Sequence, residues 1–137
     1  MLDDRADSAS AREFADIVSW SGQNNAVGWA SLLAGAPNDG ASTQYLAPAR
    51  AADLSRLPPA YVQVAELEIF RDEDVRYAER LAAAGTPCEV RVYSGAYHCF
   101  DQVVPEAQVS RQSRSDRLRA LASALTIERP IGGPENE

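Results

Sequence analysis

Two short runs of alternating apolar and polar positions stand among helical repeats in this chain. Ala60-Tyr61-Val62-Gln63-Val64 follows Pro58-Pro59 and carries β-branched residues, which predicts a strand over 60–64. Cys88-Glu89-Val90-Arg91-Val92-Tyr93 alternates in the same way and predicts a second strand. Between them Arg71 to Ala84 reads as a helix with Val75, Ala78, Leu81 and Ala82 on one face. Asp72, Glu73 and Asp74 fill its first turn, where the helix dipole favours negative charge, and Gly85 and Pro87 end it. A strand-helix-strand unit of this length implies a parallel pair with a right-handed crossover.

The flanks are helical. Ser10-Ala11-Arg12-Glu13 is a capping box, followed by Phe14, Ile17 and Val18 at helical spacing. Asn24-Asn25 breaks this helix and caps the next, whose stripe is Trp29, Leu32 and Leu33 and whose stop is Gly35. Gly35 to Ser42 reads as loop. A final helix starts between Pro105 and Ser110 and repeats Leu118, Leu121, Ala122 and Leu125 at inward-facing spacing. Residues 1–126 form one segment, and 127–137, rich in Pro and Gly, read as a disordered tail. Met1-Leu2-Asp3-Asp4-Arg5 reads as the end of a strand. Two parallel strands cannot make a sheet buried on both faces, so the chain is expected to lack most of a core of its own.

Composition narrows the class. Over 137 residues, 45% hydrophobic and 24% charged residues are globular values. A net charge of −7 argues against nucleic acid and against an anionic membrane surface. All thirteen basic residues are arginine, which with the many alanines reflects coding bias rather than an arginine-built site. Cys88 and Cys99 give neither a disulfide framework nor metal-ligand spacing. No apolar run has the length of a signal segment or membrane span, so a cytoplasmic location is the expectation.

The chemistry centres on His98, the single histidine, which follows the second strand in Tyr97-His98-Cys99-Phe100. Thirty residues earlier, after the first strand, lies Glu68 in Glu66-Leu67-Glu68-Ile69-Phe70-Arg71-Asp72-Glu73. An acid after one strand and a histidine after the next is the order in which α/β-hydrolases supply the last two members of a Ser…Asp/Glu…His triad. Glu66 is a weaker candidate acid, and Asp72, Glu73 and Asp74 read as a helix turn rather than a metal site. Trp20 and Trp29 are candidates for a substrate pocket, with core packing the commoner role for such residues, and the same holds for Tyr97 and Phe100. Cys99 adjoins His98, yet adjacent side chains rarely face each other, and Cys88 reads as a small buried apolar residue.

At these residues the chain resembles the C-terminal part of the hormone-sensitive-lipase-like carboxylesterases, the fold-3 α/β-hydrolases. The resemblance rests on Met1-Leu2-Asp3-Asp4-Arg5, Tyr45…Pro48-Ala49-Arg50, Leu57-Pro58-Pro59-Ala60-Tyr61-Val62, Glu68-Ile69-Phe70-Arg71-Asp72-Glu73, Tyr77…Leu81…Gly85-Thr86-Pro87 and Tyr93…His98-Cys99-Phe100. It implies an α/β fold class, the last two parallel strands of the hydrolase with flanking helices. It also implies Glu68 as triad acid and His98 as triad histidine. Two positions depart from the family pattern: its usual aspartate is Glu68 here, and the glycine that usually follows the histidine is Cys99.

The family's His-Gly-Gly-Gly oxyanion segment and Gly-Asp-Ser-Ala-Gly nucleophile elbow have no counterpart in the sequence, and Gly40-Ala41-Ser42-Thr43-Gln44 lacks the last glycine of a Gly-x-Ser-x-Gly motif and any strand before it. The implied activity is therefore hydrolysis of small carboxylic esters, completed by a nucleophile-bearing N-terminal half, with no metal or organic cofactor. The alternative is a non-catalytic remnant or interaction module derived from such a hydrolase. Family members often dimerise through the last strand and helix, so a homodimer is a further expectation.

Overall fold

The computed structural model describes residues 1–37 and 40–125. The predicted tail over 127–137 lies outside the described residues, as do Asn38 and Asp39. The elements run α1 (Ala9–Glu13), α2 (Gly22–Leu33), α3 (Gly40–Leu46), a 3-10 turn (Pro48–Arg50), β1 (Ala60–Leu67), α4 (Arg71–Ala83), β2 (Cys88–Tyr97), α5 (Phe100–Val103) and α6 (Gln108–Leu125). The fold class is α/β, with β1 and β2 paired in parallel as the spacing predicts.

The register runs from Ala60 opposite Cys88 to Ala65 opposite Tyr93, then shifts so that Leu67 stands opposite Tyr97. β2 carries the extra residues of this bulge, at Ser94-Gly95-Ala96, where Gly95 takes a positive φ of 69°. Glu66 holds the bulge: its Oε2 accepts from the Gly95 N–H at 2.7 Å and from Ser94 Oγ at 2.8 Å. A bulge re-aims the strand end, and here that end leads into His98. Both strands therefore extend past the alternating runs that predict them.

Strand alternation sorts the core. Ala65 and Tyr93 cluster with Ala96 and Phe100, and Val64 clusters with Ile69 and Phe70. α6 approaches the strands through polar side chains. Ser110, Ser113 and Asp116 are buried; Gln63 Nε2 donates to Ser113 Oγ at 3.2 Å and Tyr93 Oη donates to Asp116 at 2.9 Å. Leu118, Leu121 and Leu125, marked as inward-facing by their spacing, are instead 64, 54 and 69% exposed. The inward face of α6 is the polar one, and a groove of about 890 Å³ separates Leu121 and Ala124 from Pro58, Pro59 and Tyr61.

Other local expectations shift as well. The cap of α1 is Ser8, whose side chain accepts from the Ala11 N–H, and α1 ends at Glu13, leaving Val18 exposed. Ser21 caps α2, so Asn24 and Asn25 lie inside that helix. The stripe expected on α2 is partial, with Trp29 buried and Leu32 exposed. α3 occupies part of the expected 35–42 loop. Met1 to Arg5 form no strand: Leu2 carbonyl accepts from Ala49 N–H at 3.0 Å and Leu2 N–H donates to Glu73 Oε1 at 2.7 Å.

Candidate active site

The ends of β1 and β2 point the same way because the strands are parallel, so the residues that follow them meet. Glu68 lies in the turn that joins β1 to α4, and His98 in the turn that joins β2 to α5. His98 Nδ1 stands 2.6 Å from Glu68 Oε2. A carboxylate oxygen accepts, so Nδ1 carries the proton and Nε2 remains the free acceptor of the ring. Glu68 Oε1 accepts from the Ala65 N–H at 2.7 Å, which fixes the carboxyl group at both oxygens. The Glu68 side chain is 7% exposed and that of His98 27%. Glu66, the weaker candidate acid, is spent on the β2 bulge instead.

The glutamate turn is clamped by a residue that the sequence presents only as a helix cap. Ser10 is fully buried; its Oγ donates to Ile69 carbonyl at 3.0 Å and accepts from Asp72 N–H at 3.1 Å. Its own N–H donates to Asp72 Oδ2 at 2.7 Å. Burial pushes the Asp72 carboxyl up, but Arg71 and the Ser10 N–H outweigh it and hold it below the ordinary value. The acidic turn of α4 thus ties α1 to the segment that carries Glu68.

A cleft of about 370 Å³, of the size that takes a small ligand, opens over the pair, and Glu68, His98, Trp20, Phe70, Asp74 and Gln102 line it. Burial, with the Glu73 charge adding to it, pushes the Asp74 carboxyl up to about 7. Trp20 thus belongs to the cleft as well as to packing, whereas Trp29 is buried and Phe100 packs in the core with Tyr97 against it. Nothing local in the sequence separates Trp20 from Trp29 in this respect.

Cys99 takes a left-handed conformation, φ 62° and ψ 21°. That region suits glycine, which accounts physically for the glycine usual at this place in the resembled family. Burial, with the charges of Asp101 and Glu68 behind it, pushes the Cys99 thiol up, the opposite of what an activated nucleophile needs. Cys88 is half-buried, and burial raises its thiol too. Among the described residues no group of three or more His, Cys, Asp or Glu is arranged to hold a metal ion. No helix among them is long and apolar enough to cross a membrane.

Known proteins resemble this chain in sequence and in fold. Residues 1–102 match the family described as the alpha/beta hydrolase fold. Esterase LipI of Mycobacterium tuberculosis (strain ATCC 25618 / H37Rv) is 56% identical over 65 residues, a stretch that covers 45% of this chain and 20% of LipI. The crystal structure of esterase LipW from Mycobacterium marinum superposes with a TM-score of 0.84 at 32% identity, covering 93% of this chain and 39% of LipW. A bacterial heroin esterase superposes with a TM-score of 0.82 at 34% identity, covering 93% of this chain and 41% of that one. The chain therefore spans well under half the length of these relatives. With its parallel β1–β2 pair and the matched residues 1–102, the chain belongs to the alpha/beta hydrolase fold-3 family of esterases and lipases.

Proposed function

We propose that this chain supplies the acid and the histidine of a serine carboxylesterase, with Glu68 and His98 as two members of its triad. The observation that carries the reading is the 2.6 Å contact between Glu68 Oε2 and His98 Nδ1 at the mouth of a cleft. The serine that completes the triad, and the amides that hold the oxyanion, belong to a nucleophile-bearing half of the fold, because no Gly-x-Ser-x-Gly occurs in these residues.

In that site His98 Nε2 takes the hydroxyl proton as serine Oγ attacks the ester carbonyl carbon. The bond from carbon to the alkoxy oxygen then breaks, and His98 returns the proton to the departing alcohol. Water repeats the two steps on the acyl-serine, releasing the acid. Glu68 keeps the proton on Nδ1 and stabilises the imidazolium between the two transfers. The second fixed oxygen, held by Ala65 N–H, keeps the longer glutamate in line without the reach of its extra methylene becoming slack.

Hydrolysis of p-nitrophenyl acetate and butyrate tests the reading. The 137-residue chain is expected to match its His98→Ala variant at background rate. Joined with the nucleophile-bearing half of an esterase such as LipI, it is expected to hydrolyse both esters, and to lose that rate in His98→Ala and in Glu68→Gln. A joined protein that folds and does not hydrolyse them favours a non-catalytic remnant of the family.

A further inference from the structure

The pairing of Glu68 with His98 leaves unexplained why two aromatic rings close on the imidazole. The Trp20 ring centroid lies 5.9 Å from that of His98, tilted by 41°. The Phe70 ring meets it edge-on at 5.5 Å and 60°. Phe70 follows Glu68 by two residues, but Trp20 arrives from the segment between α1 and α2. Both pack on the Val64 and Ile69 cluster.

The Trp20 segment is anchored on both sides. Gly22 N–H donates to Ala15 carbonyl at 2.7 Å, which closes the turn, and Ser21 caps α2 immediately after. The Cζ2 edge of the indole leans on α2 at Gly28, where an added Cβ would stand 3.8 Å from it. Trp20 is therefore held as a wall of the cleft rather than left to swing. Nδ1 of His98 is taken by Glu68, so any group that exchanges a proton with His98 must come within about 3 Å of Nε2. In ester hydrolysis those groups are the serine hydroxyl, the leaving alcohol and the water that follows it; of the three only the alcohol varies with the substrate, so what borders the imidazole selects among alcohols.

We propose that Trp20 determines alcohol specificity: with Phe70 it screens His98, admitting small or flat leaving alcohols to Nε2 and turning away branched or polycyclic ones. The assignment of the alcohol rests on the function proposed above, whereas the screening of His98 is a property of this chain alone. The substrate class that follows is esters of primary alkyl or aryl alcohols.

Because His98 is the only histidine, its alkylation reports access to Nε2 without interference from another imidazole. Two α-bromoketones of the same chemistry and different shape serve as probes, phenacyl bromide and 1-adamantyl bromomethyl ketone. Tandem mass spectrometry separates alkylation at His98 from that at Cys99. In the 137-residue chain the adamantyl reagent is expected to lag behind phenacyl bromide by far more than it does in concentrated urea. Trp20→Leu should raise the adamantyl rate by about tenfold and leave the phenacyl rate within about twofold, a discrimination ordinary for apolar pockets. Trp20→Phe, which keeps the cluster filled, should fall between and covers the case in which the leucine variant does not fold. Equal changes for both reagents, or the same reagent ratio in water and in urea, would overturn the screening. Failure of ester hydrolysis with screening intact overturns only the triad reading. In a protein that hydrolyses esters through His98, Trp20→Leu should raise kcat/KM for tert-butyl acetate relative to ethyl acetate; an unchanged ratio would overturn the alcohol assignment.

Discussion

Replacing Cys99 by glycine and by alanine should invert the usual order of the two residues. Cys99 sits at φ 62°, ψ 21°, directly after His98 and at the cap of α5. An L side chain in that region costs about 1–2 kcal/mol, because Cβ crowds the carbonyl. Glycine escapes this cost but gives up about 0.5–1 kcal/mol through the greater freedom of its unfolded chain. Both variants lose the sulfur, so its burial cancels in the comparison. The balance leaves Cys99→Gly more stable than Cys99→Ala by about 0.5–1 kcal/mol, whereas glycine is worse than alanine by a similar amount within a helix or strand. Urea unfolding followed by circular dichroism reads the difference as a displaced midpoint at constant slope. An alanine variant as stable as the glycine variant, or more so, would refute the claim that this turn stores backbone strain beside the histidine.

Further consequences follow from particular contacts. Tyr93→Phe leaves buried Asp116 without its 2.9 Å donor and should lower stability by about 1–3 kcal/mol in the same unfolding assay. Ser10→Ala removes the two side-chain bonds of the clamp on the glutamate turn, leaving only the Ser10 N–H bond to Asp72, and should cost about 1–3 kcal/mol, with loss of the Glu68–His98 contact visible in the His98 ring resonances. Asp74 binds its proton more tightly in the folded chain, up to about 7, than in the unfolded one, so its contribution to stability falls as pH rises from about 4 to 7. Asp74→Asn should therefore flatten thermal stability across that window and raise it at pH 8; a parent chain with the same slope would contradict this. Glu68→Gln should lower kcat of an active, joined esterase by about four orders of magnitude, as loss of the orienting carboxylate does in serine hydrolases.

The alternation of 60–64 and 88–93 and the cap signals around Arg71 to Gly85 were enough to read the strand-helix-strand unit, because each is a local pattern. The Glu68–His98 pairing was legible in part: a parallel pair sends both strand ends to one side, but it was the family resemblance that favoured Glu68 over Glu66 and gave His98 a role beyond a loop histidine. Ser10 was not legible as a clamp, and Trp20, though a pocket candidate, could not be told from Trp29 or placed beside His98. Their partners lie far along the chain, and a serine before a helix reads as a cap whether or not it also clamps another turn. The bulge was hidden because Glu66 resembles a spare acid until its bonds to Ser94 and Gly95 are seen. α6 inverts the ordinary rule: three leucines mark a face that the two strands do not cover, while Ser110, Ser113 and Asp116 turn inward to Gln63 and Tyr93. Burial there follows the hydrogen-bond partners rather than the hydrophobic repeat.

The most direct test of the central claim is p-nitrophenyl butyrate hydrolysis measured on four samples: the 137-residue chain, its His98→Ala variant, and each of these joined to a nucleophile-bearing esterase half. Background rates are expected for both separate chains, turnover for the joined parent, and loss of that turnover in joined His98→Ala. Turnover by the separate chain that disappears in His98→Ala would place a nucleophile within these residues, and turnover of the joined protein that survives His98→Ala would remove His98 from the chemistry; either result contradicts the account.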